Sequence, residues 1–212
     1  LIIGGKLNQD PLAHGLALYY VSNVIIYNVN SSYNALDGGY IRGNITTEDG
    51  VGSDNIFIVN SRFEYNGRLG VAVTGGKGLK FINCVFSNTG QGAISSAPKA
   101  GVDIEPNAGE FAQNISFDNC LFENNRGCGI LSANNKNKII TMDHCEFWQG
   151  FERSADAFWF NGPKHVKISN SLIHGNITNF TNDGIVENCR IDDAIHPTYG
   201  QSGMKRNALL NS

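Results

Sequence analysis

Short runs in which every second residue is apolar recur along the chain, and each ends on the same polar phrase. The phrase reads apolar-x-apolar-x-Asn-(Ser/Cys)-x-(Phe/Ile). It occurs as Val24-Ile26-Asn28, Ile56-Ile58-Asn60-Ser61-Phe63, Leu79-Phe81-Asn83-Cys84-Phe86 and Ile115-Phe117-Asn119-Cys120-Phe122. It continues as Ile140-Met142-His144-Cys145-Phe147, Val166-Ile168-Asn170-Ser171-Ile173 and Ile185-Glu187-Asn188-Cys189-Ile191. The Asn-column residues lie 32, 23, 36, 25, 26 and 18 positions apart. Alternation within each unit predicts strands, and a period of this size predicts stacked coils of a solenoid. Asn at one place per coil suits a ladder of side-chain amides bonding between rungs about 4.8 Å apart. The fold predicted is all-β: a single-stranded, right-handed parallel β-helix of about seven to eight coils, almost free of α-helix.

A second phrase, Gly-apolar-x-apolar-x, supplies the third strand of each coil. It reads Gly15-Leu16-Ala17-Leu18-Tyr19, Gly38-Gly39-Tyr40-Ile41-Arg42, Gly70-Val71-Ala72-Val73-Thr74 and Gly101-Val102-Asp103-Ile104-Glu105. It then reads Gly129-Ile130-Leu131-Ser132-Ala133 and Ala157-Phe158-Trp159-Phe160-Asn161. Alternation sends the second and fourth residues inward and the third and fifth outward. Coil two fits least well, because Gly39 takes an inward slot.

Composition agrees with frequent tight turns: the chain carries 27 Asn and 25 Gly, residues that accept positive φ. Net charge is −3 and no Lys/Arg run stands out, which argues against a nucleic-acid partner. No apolar run approaches the ~20 residues of a membrane span. Four of the five cysteines (Cys84, Cys120, Cys145, Cys189) share one column, where Ser61 and Ser171 also sit. Same-column side chains point the same way, so the expectation is a stack of buried thiols rather than disulfides or metal ligands. Cys128 lies outside the column. His144 replaces Asn in its ladder and is read as structural, bonding along the column.

Two polar insertions, Gly43 to Asp54 and Thr89 to Ala100, interrupt the coils; such loops often border a solenoid's binding face. The β-helix is expected over residues 1–191. Residues 192–212 form a tail in which the pattern decays, either docking a partner or disordered. Leu1-Ile2-Ile3-Gly4-Gly5 reads as mid-strand with no cap, and an uncapped solenoid end exposes strand edges and core. This predicts that further coils or domains precede Leu1.

The Asn column, the Cys/Ser–Phe pairs and the Gly-led strand resemble the pectate-lyase-like superfamily of right-handed β-helices, over nearly the whole chain. Within it the chain looks most like the β-helix regions of phage tailspikes and related surface-polysaccharide enzymes. Gly-His-Gly, typical of polygalacturonases, and Asp-Pro-His, typical of alginate epimerases, are both absent. The resemblance implies a substrate groove along the outer face of the third strand, a polysaccharide partner, an extracellular or virion-surface location and a parallel homotrimer.

The residues predicted on that face suit a sugar chain. Tyr19, Tyr40 and Trp159 can stack on pyranose rings, while Arg42, Thr74 and Asn161 can bond hydroxyls. Asp103 and Glu105 are the outward carboxylate pair, with Cα atoms roughly 6.5–7 Å apart at a rise of ~3.3 Å per residue. That spacing is compatible with either retaining or inverting hydrolysis. Glu105, abutting Pro106, is expected to be the less solvated and so the general acid, with Asp103 as nucleophile or base. Such hydrolysis needs no metal or cofactor. Asp156, Arg126, Arg153 and Lys99 lie near the starts of third strands. A lyase would need an Arg or Lys base with carboxylates or Ca²⁺ neutralising a uronate; otherwise these are solvated turn charges. A non-catalytic glycan-binding or stalk segment is the alternative from another class.

Overall fold

The computed structural model describes residues 2–3, 13–43, 52–133, 135–149, 156–178 and 183–192. Among these every regular element is a strand, and all pairing is parallel. Three sheets of seven, eight and seven strands run the length of the molecule, each strand pairing with its counterpart one coil away. The first sheet contains the apolar runs before the Asn column, such as Gly76–Ile82 and Ala112–Asp118. The second follows the Asn turn, as in Val85–Ser87 and Leu121–Glu123. The third is the Gly-led sheet: Leu16–Tyr19, Asp37–Arg42, Leu69–Val73, Val102–Ile104, Ile130–Ser132, Asp156–Phe160 and Asn176–Thr178.

The Asn column makes the corner between the first two sheets. Asn28, Asn60, Asn83, Asn119, His144, Asn170 and Asn188 all hold φ between 51° and 55°. Asn enters this left-handed region more readily than most side-chain-bearing residues, because its short amide bonds locally. Asn83 Nδ2 donates to Asn60 Oδ1 at 2.8 Å, and Asn119 Nδ2 to Asn83 Oδ1 at 3.0 Å. At His144 the ladder departs from expectation. The imidazole pairs with its neighbour Asp143 at 2.9 Å, and Asn170 Nδ2 reaches Asp143 Oδ1 at 2.8 Å. The ring is longer than an amide, so it turns outward and a carboxylate takes over the rung.

Inside, identical residues stack. Phe86, Phe122 and Phe147 lie at centroid spacings of 4.9 and 4.6 Å, and Phe81 stacks on Phe117 at 4.9 Å. All five are buried, and each pair adds about 0.5–1.5 kcal/mol beyond its area burial. The cysteines are free. Sγ of Cys84, Cys120 and Cys145 each reaches a backbone carbonyl of the preceding coil, at 3.3, 3.4 and 3.5 Å. In the same slot Ser171 Oγ accepts from Cys145 N at 3.0 Å. The expected stack of buried thiols is therefore present for Cys84, Cys120 and Cys145, while Cys189 in the last coil is only half-buried.

The leading glycines of the third sheet have a steric cause. A Cβ on Gly70 would come 2.3 Å from Gly101 O, and one on Gly101 2.7 Å from Gly129 O. The bend brings successive backbones too close for a side chain. Gly39 stays in its inward slot, paired with Leu16 and Val71. The Phe63 ring and one Val71 methyl close over it, at 3.3 and 3.1 Å from where its Cβ would be. The insertion from Thr89 to Ala100 is irregular, as expected. Positions 44–51 of the other insertion, and the tail from residue 193, lie outside the described residues.

Candidate functional site

The register of the third sheet aligns Ala17, Tyr40, Ala72, Asp103, Leu131 and Trp159 in one column. This is the outward column that alternation predicts. Its centre is low, because Ala72 stands between the larger Tyr40 and Asp103. Over this dip lies a cleft of about 330 Å³, lined by Arg68, Leu69, Ala72, Thr74, Ala97, Pro98, Asp103, Glu105, Pro106 and Asn107. Three sequence segments thus meet: the third strand of coil three, the Gly-Val-Asp-Ile-Glu-Pro-Asn run, and the end of the Thr89–Ala100 insertion.

Asp103 is buried, 6% exposed, and Glu105 is exposed. This reverses the expectation that Glu105 would be the less solvated carboxyl. Asp103 sits mid-strand, beside an outer apolar cluster of Leu69, Ala72, Ala100 and Cys128, against which Tyr40, Leu131 and Trp159 pack. Glu105 has already left the strand, and its neighbour Pro106 takes the buried place instead. Burial pushes the Asp103 carboxyl up to about 7; the Glu105 charge adds to this, Arg68 opposes it and Asp37 adds a little more. Asp103 Oδ1 is buried without a hydrogen-bond partner among the described residues.

Arg68 forms the cationic wall of the cleft and was not distinguished by sequence. Its Nε donates to Asp37 Oδ1 at 2.8 Å and its Nη2 to Asp37 Oδ2 at 2.6 Å. His14 Nδ1 stands 3.0 Å from the same Oδ2, and its ring stacks on Tyr40 at 4.4 Å. Asp37 is fully buried, and its bonds raise the Arg68 pKa further. An available signal was positional: Asp37 and Arg68 flank the start of a third strand in successive coils. On the far wall Asn107 N donates to Thr74 O at 3.1 Å. Asn107 Nδ2 reaches the buried Glu110 at 3.5 Å, a carboxyl that sequence reading also passed over.

Of the other predicted residues, Thr74 lines the cleft. Tyr40 stands one rung from Ala72, the Tyr19 ring lies 5.6 Å from it on the side away from the cleft, and Arg42 lies 6.0 Å over the Tyr20 ring. Trp159 is two rungs beyond Asp103, past Leu131, and Asn161 follows it, outside the strand and exposed. Asp156 accepts from Thr178 Oγ1 at 2.8 Å at the start of that same strand. Lys99 lies across Gly90, and Arg126 is exposed on a turn; neither lines the cleft. Arg153 lies outside the described residues.

A family model described as "Right handed beta helix region" matches residues 9–152 and 112–207. The chain belongs to this family. Solved structures of similar fold include the tailspike protein gp49 of Acinetobacter baumannii bacteriophage Fri1, a capsular polysaccharide depolymerase. Its TM-score is 0.57 at 18% identity, covering 90% of this chain and 37% of that one. The catalytic domain of Agl-KA matches with TM-score 0.54 at 14% identity, over 87% and 46% of the two chains. PfbA, a surface adhesin of Streptococcus pneumoniae, matches with TM-score 0.53 at 11% identity, over 82% and 61%. This right-handed beta helix thus spans less than two thirds of the length of each. No curated protein matches the sequence.

One group of possible metal ligands lies elsewhere on the beta helix. Asp118, Asp143 and His144 bring ligand atoms within 4.8 Å of one another on the outside of the first sheet. Asp143 there already accepts from Ser169 and Asn170. Among the described residues no helix is long and apolar enough to cross a membrane.

Proposed function

We propose that this beta helix is the polysaccharide-cleaving part of an extracellular or virion-surface protein, acting by glycosidic-bond hydrolysis in the Asp103–Glu105 cleft. The observation that carries the reading is the contrast within the pair. One carboxyl is buried, with its pKa pushed up to about 7, and has an unpartnered oxygen; the other is exposed. Two carboxyl groups in unlike environments suit an acid and a base or nucleophile. Asp103 is the general acid and donates its proton to the departing glycosidic oxygen. Glu105 activates water or attacks the anomeric carbon. Arg68, held by Asp37, fixes the cleft wall, and Tyr40 offers a ring face one coil away.

The resemblance of the coil to a phage depolymerase and to a catalytic domain supports a carbohydrate-acting role. Elimination in the same cleft is the competing chemistry, favoured by Arg68 as the one cation lining it. Glycan binding without turnover is the reading that the adhesin's fold favours. The test is incubation with a panel of bacterial capsular polysaccharides, following new reducing ends and the ultraviolet absorbance of unsaturated uronates. Reducing ends without absorbance support hydrolysis; absorbance assigns elimination; binding with neither assigns a glycan-binding role. A homotrimer is also proposed. It fits the exposed apolar residues Ile25 and Tyr27 at one end of the first sheet, and light scattering showing a monomer would overturn it.

A further inference from the structure

The cleft's hydrogen-bonding inventory specifies the kind of sugar it accepts. Two of its ten lining residues, Asp103 and Glu105, carry carboxyls, and one, Arg68, carries a positive charge. That guanidinium already gives both its Nε–H and an Nη2–H to Asp37, a buried anion just behind the wall. Arg68 therefore enters the cleft as half of an ion pair, while the carboxyls enter with no cation of their own. The balance of fields at Asp103 has the same sign: Glu105 and Asp37 act against its ionisation, Arg68 in favour. Beyond these charges the lining is apolar (Leu69, Ala72, Ala97, Pro98, Pro106), apart from Thr74 and Asn107.

Asp103 Oδ1 adds a separate requirement. It is buried, faces no protein donor among the described residues and belongs to the cleft floor. Protonated or ionised, such a carboxyl is satisfied by a group that both donates and accepts, as a sugar hydroxyl does. Sugar hydroxyls and amino or amido N–H groups are donors, whereas a uronate carboxylate is an acceptor only. A uronate would bring a further negative charge beside Glu105, and the one guanidinium lining the cleft is already paired with Asp37. Like charges brought together in a partly desolvated site oppose binding.

We infer that the subsite over Ala72 takes an uncharged or amino-bearing sugar unit and rejects a uronate at that position. This rests on the proposed function, because it concerns the same cleft. It also separates the two cleavage chemistries, since β-elimination requires the uronate that the subsite rejects.

The experiment uses a set of uronate-containing capsular polysaccharides, each with its carboxyl-reduced form, in which the uronate has become the neutral hexose. Retention of the protein by each polymer is measured by affinity electrophoresis. At least tenfold tighter retention by the reduced form is expected, in every pair that binds. Glu105→Gln, at an exposed position, should narrow that ratio by strengthening retention on the unreduced polymer. Equal or tighter retention by the unreduced form, or a ratio unmoved by Glu105→Gln, overturns this inference and leaves the proposed function standing. Retention by no polymer of either form, or of a parallel set of neutral and amino-sugar glycans, overturns both.

Discussion

Two aspartates buried in the third sheet, Asp37 and Asp103, have opposite surroundings. Asp37 is fully buried, is held by both an Nε–H and an Nη2–H of Arg68 and has His14 beside it. Asp103 is nearly as buried, yet Oδ1 has no partner among the described residues and Arg68 merely faces it. The same side chain is in one place a satisfied structural anion and in the other an unsatisfied acid. Burial alone does not single out a candidate carboxyl; a missing partner narrows the buried ones among the described residues to Asp103 and Glu110, and of these Asp103 lines the cleft.

The contrast breaks most visibly at Asp37. Asp37→Asn removes the charge that Arg68 answers, and losing one partner of a buried pair costs roughly 3–5 kcal/mol. Arg68 is 31% exposed, so water relieves part of this and a loss near the lower end, about 3 kcal/mol, is expected in urea denaturation. A loss below about 0.5 kcal/mol, the scale of an ordinary surface change, would make Asp37 no anchor.

Asp103→Asn should do the reverse. The fold keeps or gains stability, while turnover on a cleavable glycan falls at least about a hundredfold, the lower range for a lost proton transfer. Normal turnover with normal folding would remove Asp103 from the chemistry.

The same variant sharpens the comparison through pH. The Asp103 carboxyl rises from 3.8 to about 7 on folding, so the native state holds a proton that the unfolded chain has released. Stability therefore declines as pH rises from about 4 to about 7. Thermal melts across that window should show a component of decline in the wild type that Asp103→Asn lacks. Parallel profiles would contradict the assignment. The smallest effect is expected in the regular wall: Asn119→Ala removes one ladder bond and a residue suited to positive φ, worth about 1 kcal/mol.

The repeat made the fold legible because stacking forces like onto like. Asn83 and Asn119, or Phe122 and Phe147, have to match to share a rung, and a matched column is visible as a period. The same logic placed Asp103 on the outer face and in the right column. It did not order the two carboxyls by solvation. Glu105 looked sheltered beside Pro106, but the strand ends at Ile104, so Pro106 turns in and Glu105 turns out. Arg68 and Asp37 stayed hidden because they pair across coils, 31 positions apart, and no column contains both. Sites made by breaking a repeat lack the signal that reveals the repeat.

The cleft draws its lining from residues 68–107 alone, and its nearest supports from residues 14, 37 and 110. Each coil touches mainly its immediate neighbours, as in other solenoids. The candidate site is therefore a portable cartridge of about three coils, with Asp37 on one side and the end of the Thr89–Ala100 insertion built in. Coils beyond Phe160 hold neither a lining residue nor one packed beside it, so they can be duplicated, exchanged or trimmed to reset the length of the rod. Length and specificity can then change independently along one continuous backbone.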